Sequence, residues 1–319
     1  MDVTTRFILF QVLIIVPFLS GMVAKRFYRF RSLPAFTKGL IRLNLVFIEP
    51  VIVLWSTWGL ALTGEMAVLP LAGISLVALG MAFGGAGRRV LGVSGKRGAT
   101  FLISSSLANH GFTMGAFLCY LFLGEKGLGL AFLFLSYFMP CIFLVIFPYA
   151  RMQSTGERFT TASIRGFFLN LQNMPFYAVI VSLLLLWLGI VRPAAAFPVD
   201  VFIVVSMALY YFTLGLNFEM PAFFASGREN AALAAIKFML VPGVVLAVLS
   251  AVRLDPAIET VILLQAFMPA AIYSVVASVL FDLDGPLASN MFVWNTLLFL
   301  AGVLPVLLVF RDVLGGLIR

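Results

Sequence analysis

The sequence predicts an all-α membrane protein: ten transmembrane helices in two inverted five-helix repeats, with helices 4 and 9 broken. Three observations predict it. Hydrophobic residues make up 62% of the 319-residue chain and charged residues only 11%, where a soluble domain carries about 25% charged residues; the mean hydropathy is +1.11. Such a chain cannot cover a water-facing surface. Apolar runs close to the ~20 residues that a spanning helix needs recur along the whole length. Finally, the fourth and ninth runs each carry a helix-disrupting residue about eleven positions in.

The runs are 6–24, 38–62, 66–85, 99–123, 127–149, 174–191, 198–218, 231–252, 258–282 and 287–310. They are continuous and lack period-two alternation, so they read as helices rather than barrel strands. The basic cluster "KRFYRFR" follows the first run, where a cleaved signal peptide would show small residues, so that run reads as a span. The longest connection is "ARMQSTGERFTTASIRGFFLNLQN". No loop is long enough for a soluble domain, so 1–319 reads as a single membrane transport domain. Its first five-helix repeat is 1–149, its connecting loop 150–173, and its second repeat 174–319. Five spans per half turn the second half upside down relative to the first, as in inverted-repeat transporters.

Alternate loops divide the cations unequally. Fourteen Lys and Arg residues lie on one side, in 25–42, 88–97, 151–165 and at Arg228, against six on the other. The richer side is expected in the cytoplasm, with both termini outside. The net charge of +8 is mostly this bias and calls for no nucleic acid; the basic loops also favour an anionic lipid surface. Cys119 and Cys141 fall within spans and read as packing residues.

The candidate site residues come from the polar positions inside the spans. "SSSLANHGFTMG", 104–115, holds the one histidine of the chain. A helix opened at Asn109-His110-Gly111 frees backbone groups that must find partners or line a wet cavity. Pro269 stands at the matching depth of span 9, one turn after Gln265. Gly and Pro also occur in transmembrane helices merely as packing or kinking residues. His110 either contacts substrate or is a neutral histidine bonded to Ser106 or a neighbouring helix; an ionisable residue in the membrane defaults to function. Asn109, Gln265 and, more weakly, Asn44 can orient a polar substrate, or can make helix–helix hydrogen bonds worth ~0.6–2 kcal/mol. Tyr273, Ser274, Asn290 and Asn295 rank with Asn44, as packing or helix–helix contacts for the most part. Glu49 costs at least ~2.5 kcal/mol at a helix centre. It is protonated, paired with another helix or cation-binding; as a coupling residue it would carry a proton, and otherwise it bonds the carbonyl freed by Pro50. Lys237 is expected to snorkel to headgroups. Half-helix starts meeting at a break would form an anion pocket without any fixed cation. No metal site and no cofactor are expected.

"ANHGFTMGAF…LFLGEKGLGLAFLF", "LQNMPFYAVIVSLLLLWLGI", "LGLNF", "IKFMLVPG", the run from "LLQAFMPAAIYS" to "LAGVLP", and "LNLVFIEPVIVLW" together resemble the auxin efflux carrier family, which includes the plant PIN exporters and bacterial malonate- and malate-type transporters. The resemblance covers about 40 to 310. It implies ten helices in two inverted repeats, with helices 4 and 9 broken and crossing, and transport of a small organic anion. Asn109 and Gly111 would lie at the first crossing point and Pro269 at the second. It also implies the inner membrane of a bacterium and, from relatives, a homodimer. Ala116 stands where the family commonly has proline, and Glu49 where it has a small or apolar residue.

Competing classes remain. A sodium-coupled organic-anion symporter of the bile acid:sodium symporter type shares the crossed architecture. A drug/metabolite-type permease would lack the breaks. A non-transporting sensor would bind without turnover. An enzyme is not expected: one histidine cannot form H-E-x-x-H, and no serine sits in a G-x-S-x-G elbow.

Overall fold

The computed structural model describes residues 3–27, 32–111, 113–156, 171–217 and 226–309. Among them the chain is helical throughout, and its one β-type contact is an isolated antiparallel bridge between Ala108 and Ala270. The helices are α1 (Val3–Phe27), α2 (Leu33–Leu43), α3 (Glu49–Trp58), α4 (Val68–Leu91), α5 (Gly95–Ser106), α6 (Gly115–Leu135), α7 (Phe138–Cys141), α8 (Phe147–Thr155), α9 (Met174–Trp187), α10 (Val199–Asn217), α11 (Gly227–Ala235), α12 (Val241–Ala251), α13 (Pro256–Ala266), α14 (Ile272–Leu280), α15 (Gly285–Leu298) and α16 (Leu304–Val309).

Among the described residues, six helical stretches are long and apolar enough to cross a membrane: Ala35–Trp58, Gly64–Leu91, Gly115–Thr155, Val199–Leu216, Gly227–Ala251 and Gly285–Val309. Met174–Trp187 and Pro256–Ala266 are shorter apolar helices. The outer faces match a hydrocarbon solvent. On α1, Ile8, Val12, Ile15, Val16, Leu19 and Val23 are all exposed and recur at helical spacing on one face, while Ile14 and Gly21 are buried. The protein is therefore an all-helical, membrane-embedded chain.

Four of these stretches pass through a proline without stopping. Pi-helical turns at Asn44–Ile48, Ile142–Ile146, Ile236–Leu240 and Phe299–Val303 each end two residues before a proline: Pro50, Pro148, Pro242 and Pro305. Proline lacks an N–H and its ring crowds the carbonyl four residues back. Widening the preceding turn to an i→i+5 bond, as from the Glu49 N–H to the Asn44 carbonyl, accommodates it.

Gly115–Thr155 contains 41 residues, about 60 Å if straight and twice a bilayer core. It is not straight. Gly124 has φ 63° and ψ −151°, outside helical space, a conformation open to glycine. A Cβ on Gly127 would lie 2.3 Å from the Cys119 carbonyl oxygen, so the chain doubles back where the sequence separates spans 4 and 5. The helix that follows runs to Thr155, and a 3-10 turn begins at Leu171. The expected loop 150–173 is therefore helical over its first six residues, because the polar "ARMQST" continues α8 until Gly156 caps it in the left-handed region at φ 73°. Its stretch 157–170, with Arg158 and Arg165, lies outside the described residues, as do Arg29, Arg31, Arg311 and Arg319.

The chain forms two compact units. The first comprises Met1–Thr63, Gly111–Leu133 and Leu169–Glu219. Within it α1 and α10 touch backbone to backbone: a Cβ on Gly21 would lie 2.2 Å from the Phe212 carbonyl oxygen, and one on Gly215 2.0 Å from that of Phe18. At one end Trp58 donates to the Ile190 carbonyl (2.7 Å), and Arg192 lies over the Trp55 ring while pairing with Glu125.

The second unit comprises Gly64–His110, Phe134–Phe168 and Met220–Arg319. Gly80 and Gly84 of α4 let α5 approach closely; a Cβ on Gly80 would lie 2.4 Å from the Ser105 carbonyl oxygen. Three helix starts meet at one end. Arg97 at the start of α5 bonds Glu229 of α11 (2.5 Å) and Asp284, the N-cap of α15 (3.5 Å), and Lys96 bonds Asp282 (2.5 Å). The exposed Lys96–Asp282 pair adds only ~0–1 kcal/mol; the part-buried contacts of Arg97 fix which helix ends adjoin.

Candidate functional site

In the second unit, two interruptions of apolar helices lie against each other. Helix α5 stops at Ser106 and helix resumes at Gly115; α13 stops at Ala266 and α14 begins at Ile272. The Asn109 N–H donates to the Pro269 carbonyl (2.8 Å) and the Ala271 N–H to the Leu107 carbonyl (3.1 Å). Ala108 and Ala270 thus oppose each other as a non-hydrogen-bonded pair, the closer type of antiparallel pairing. Two small side chains suit that approach.

Several of the remaining freed groups also find partners, as a low-dielectric setting demands. The Ala108 carbonyl accepts from the His110 N–H (2.8 Å), and the Gly111 carbonyl from the Met114 and Ala116 N–H groups (3.1 Å each). The Ala270 N–H donates to Asn295 Oδ1 (2.8 Å). Ser274 Oγ donates to the Ala271 carbonyl (2.7 Å). In the first unit, the Tyr211 hydroxyl donates to the Thr113 carbonyl.

His110 and Gln265 lock the pairing reciprocally. His110 Nε2 lies 3.0 Å from the Gln265 carbonyl, and Gln265 Nε2 donates to the His110 carbonyl at 3.3 Å. A carbonyl only accepts, so Nε2 carries a proton; Nδ1 lies 2.7 Å from the Tyr137 hydroxyl, which donates to it when the ring is neutral. Phe134 packs edge-on to the imidazole, with ring centroids 5.1 Å apart. His110 is 1% exposed. Both ring nitrogens are therefore engaged within the protein. The expected partner Ser106 is instead bonded to the Leu102 carbonyl one turn back, the usual outlet for a helical serine.

The structure brings Asn109, His110, Gln265 and Pro269 together. Gly111 begins the segment assigned to the first unit; its φ is not positive and a Cβ there would meet nothing within 4 Å, so neither strain nor crowding demands glycine. Asn44 and Glu49 also belong to the first unit, in the widened turn before Pro50. Asn44 Nδ2 donates to the Ser206 carbonyl (2.9 Å) and its Oδ1, fully buried, has no partner. Glu49, 5% exposed, is hydrogen-bonded by the Tyr210 side chain: of the alternatives open in the sequence, the partner is on another helix.

Two residues ranked low in the sequence stand at the paired breaks. Lys237 does not snorkel. It is 4% exposed and its Nζ donates to the Leu107 carbonyl at 2.9 Å, because the break leaves a carbonyl inside the unit that the long stem can reach. A lysine thus stands at the break, where the sequence reading has no fixed cation. Asn295, 2% exposed, holds the Ala270 N–H through Oδ1, while its Nδ2 has no partner. A cavity of about 230 Å³ reaches Asn295, with Asn230, Ala234, Trp294 and Leu298 among its other walls. The signal for both residues is their polarity in an apolar run; what sequence lacks is the direction each side chain takes.

No protein-family model matches the chain, and a search of curated proteins finds no match.

Proposed function

We propose that the protein is a secondary transporter, an efflux carrier of a small organic anion such as a carboxylate or auxin-like compound, working by alternating access around broken helices 4 and 9. The carrying observation is the mutual pairing of two helix interruptions inside apolar helices, with polar side chains buried around them. Interrupted helices deep in a membrane protein are tolerated where they are buried in protein or line a wet cavity, and in transporters paired breaks of this kind hold the substrate.

In this reading the apolar runs are ten transmembrane helices in two inverted repeats, and the breaks cross. The composition of the two units supports it. The first unit collects spans 1 and 2 of the first half and the equivalent spans 6 and 7 of the second, with Gly111–Leu133; the second collects spans 3, 8, 9 and 10, with span 4 up to His110 and span 5 from Phe134. The adjoining starts of α5, α11 and α15 fit helices that alternate direction. The resemblance to auxin efflux carriers points the same way and implies the inner membrane and a homodimer; the cation bias of the loops implies external termini.

The chemistry follows from the local geometry. Helix α14 starts at the break with no side-chain cap, so its first N–H groups present a positive end to an anion. Asn109, His110 and Gln265 hold the pairing that keeps this start in place. Glu49 serves as proton carrier in the other unit.

Purified protein in proteoliposomes tests the reading with labelled malonate, malate and indole-3-acetate under imposed pH and sodium gradients. Saturable uptake of at least one, absent from empty liposomes, is expected. No uptake of any carboxylate under any gradient contradicts the carrier reading. Glu49→Gln should retain binding and lose stimulation by a pH gradient; parent transport that ignores the pH gradient removes the proton role.

A further inference from the structure

We infer that Lys237 is the counter-charge for the transported anion, and that the site at the paired breaks takes a single carboxylate. The inference rests on the carrier reading above and narrows its substrate to monocarboxylates. Three observations carry it. The Leu107 carbonyl accepts both the Ala271 N–H and Lys237 Nζ, so the ammonium stands beside the uncapped start of α14. Asn295, whose Oδ1 holds the neighbouring Ala270 N–H, has an Nδ2 with no partner and is 2% exposed. Lys237 itself has one hydrogen-bond partner and no carboxylate partner among the described residues.

An ammonium has three donors. One is used here, which leaves two for the oxygens of a carboxylate. Burying an ammonium without an opposite charge is costly, so a bound carboxylate balances a charge that the protein's own side chains do not. The charge count sets the valence. Lys237 is the only buried Lys or Arg among the described residues. One carboxylate makes the occupied site neutral, the form that crosses a hydrocarbon layer at least cost. A second carboxylate would add a negative charge facing no buried cation.

Isothermal titration of the purified full-length protein tests this, with phenylacetate and indole-3-acetate as monocarboxylates, malonate as dicarboxylate and indole-3-acetamide as the uncharged analogue. A monocarboxylate is expected to bind at least about tenfold tighter than malonate at neutral pH, and the amide about 100-fold weaker than its acid. Lys237→Met should weaken monocarboxylate binding about 100-fold, while Lys237→Arg, which keeps the charge, stays within about tenfold of the parent. The parent comparison of mono- with dicarboxylate requires no variant and stands if Lys237→Met does not fold. Equal or tighter binding of malonate overturns the single-charge site. Unchanged monocarboxylate binding in folded Lys237→Met overturns the role of Lys237 and leaves the carrier reading standing. Uptake of carboxylates in liposomes without any contribution of Lys237 has the same meaning, whereas absence of both uptake and binding overturns the carrier reading and this inference together.

Discussion

The helices that contain Pro50, Pro148, Pro242 and Pro305 continue through a widened turn, whereas the stretch around Pro269 leaves five residues, 267–271, outside any helix. The chemistry of the proline is the same in all five places. In the first four the i→i+5 turn re-satisfies the backbone within the helix itself. At 267–271 more groups are freed than the helix can take back: the Pro269 carbonyl and the Ala271 N–H pair with Asn109 and Leu107, and the Ala270 N–H goes to Asn295. The first break holds no proline at all. The break is therefore maintained by the partner segment rather than by proline, and polar side chains gather where two strands of freed backbone meet.

The largest expected effect comes from moving that partner. Gly80→Leu would place a side chain 2.4 Å from the Ser105 carbonyl, and backbone cannot yield as a flexible side chain can. We expect a loss of about 3 kcal/mol or more, read as a large drop in melting temperature in detergent. A variant as stable as the parent would mean that the last turn of α5 is not held against α4.

His110→Ala comes next. It removes the imidazole that joins Tyr137 to the Gln265 carbonyl and leaves buried groups unpaired, at a cost of about 1–3 kcal/mol. It should lower the melting temperature and weaken carboxylate binding through loosened breaks. Lost binding with an unchanged melting temperature would instead make His110 a direct ligand contact.

The positions of the apolar helices and of both interruptions are legible in the amino-acid sequence. A polar cluster around Asn109-His110-Gly111, and a proline with glutamine one turn earlier, conflict with hydrocarbon wherever they fall in the fold. The partners are not legible. That Gln265 bonds His110 with both its amide and its carbonyl depends on two segments 155 residues apart in sequence. Lys237 near a helix end reads as a snorkelling residue, and only the carbonyl freed at Leu107 turns it inward. The four widened turns also escape a sequence reading, although each sits at one fixed offset before its proline; a proline in an apolar run signals a kink without saying how the backbone absorbs it.

Smaller effects separate the two kinds of proline site. Pro269→Ala should keep the break, because the Pro269 carbonyl and not its ring receives the Asn109 N–H; the cost should be about 1 kcal/mol or less. A continuous helix through 267–271 in a structure of this variant would assign the break to the proline. Pro305→Ala should be smaller still, a change within about 0.5 kcal/mol, since the turn at Phe299–Val303 has its partners within its own helix. Transport activity should be unaltered in this variant when assayed in liposomes.

The most direct measurement is hydrogen exchange of the purified parent protein, followed by mass spectrometry, with and without saturating indole-3-acetate. If the paired breaks are the anion site, backbone amides in 107–111 and 267–274 slow together on ligand addition, while those around Pro50, Pro148 and Pro305 keep their rates. Protection confined to the widened turns, or bound ligand that leaves both breaks unchanged, would contradict the account.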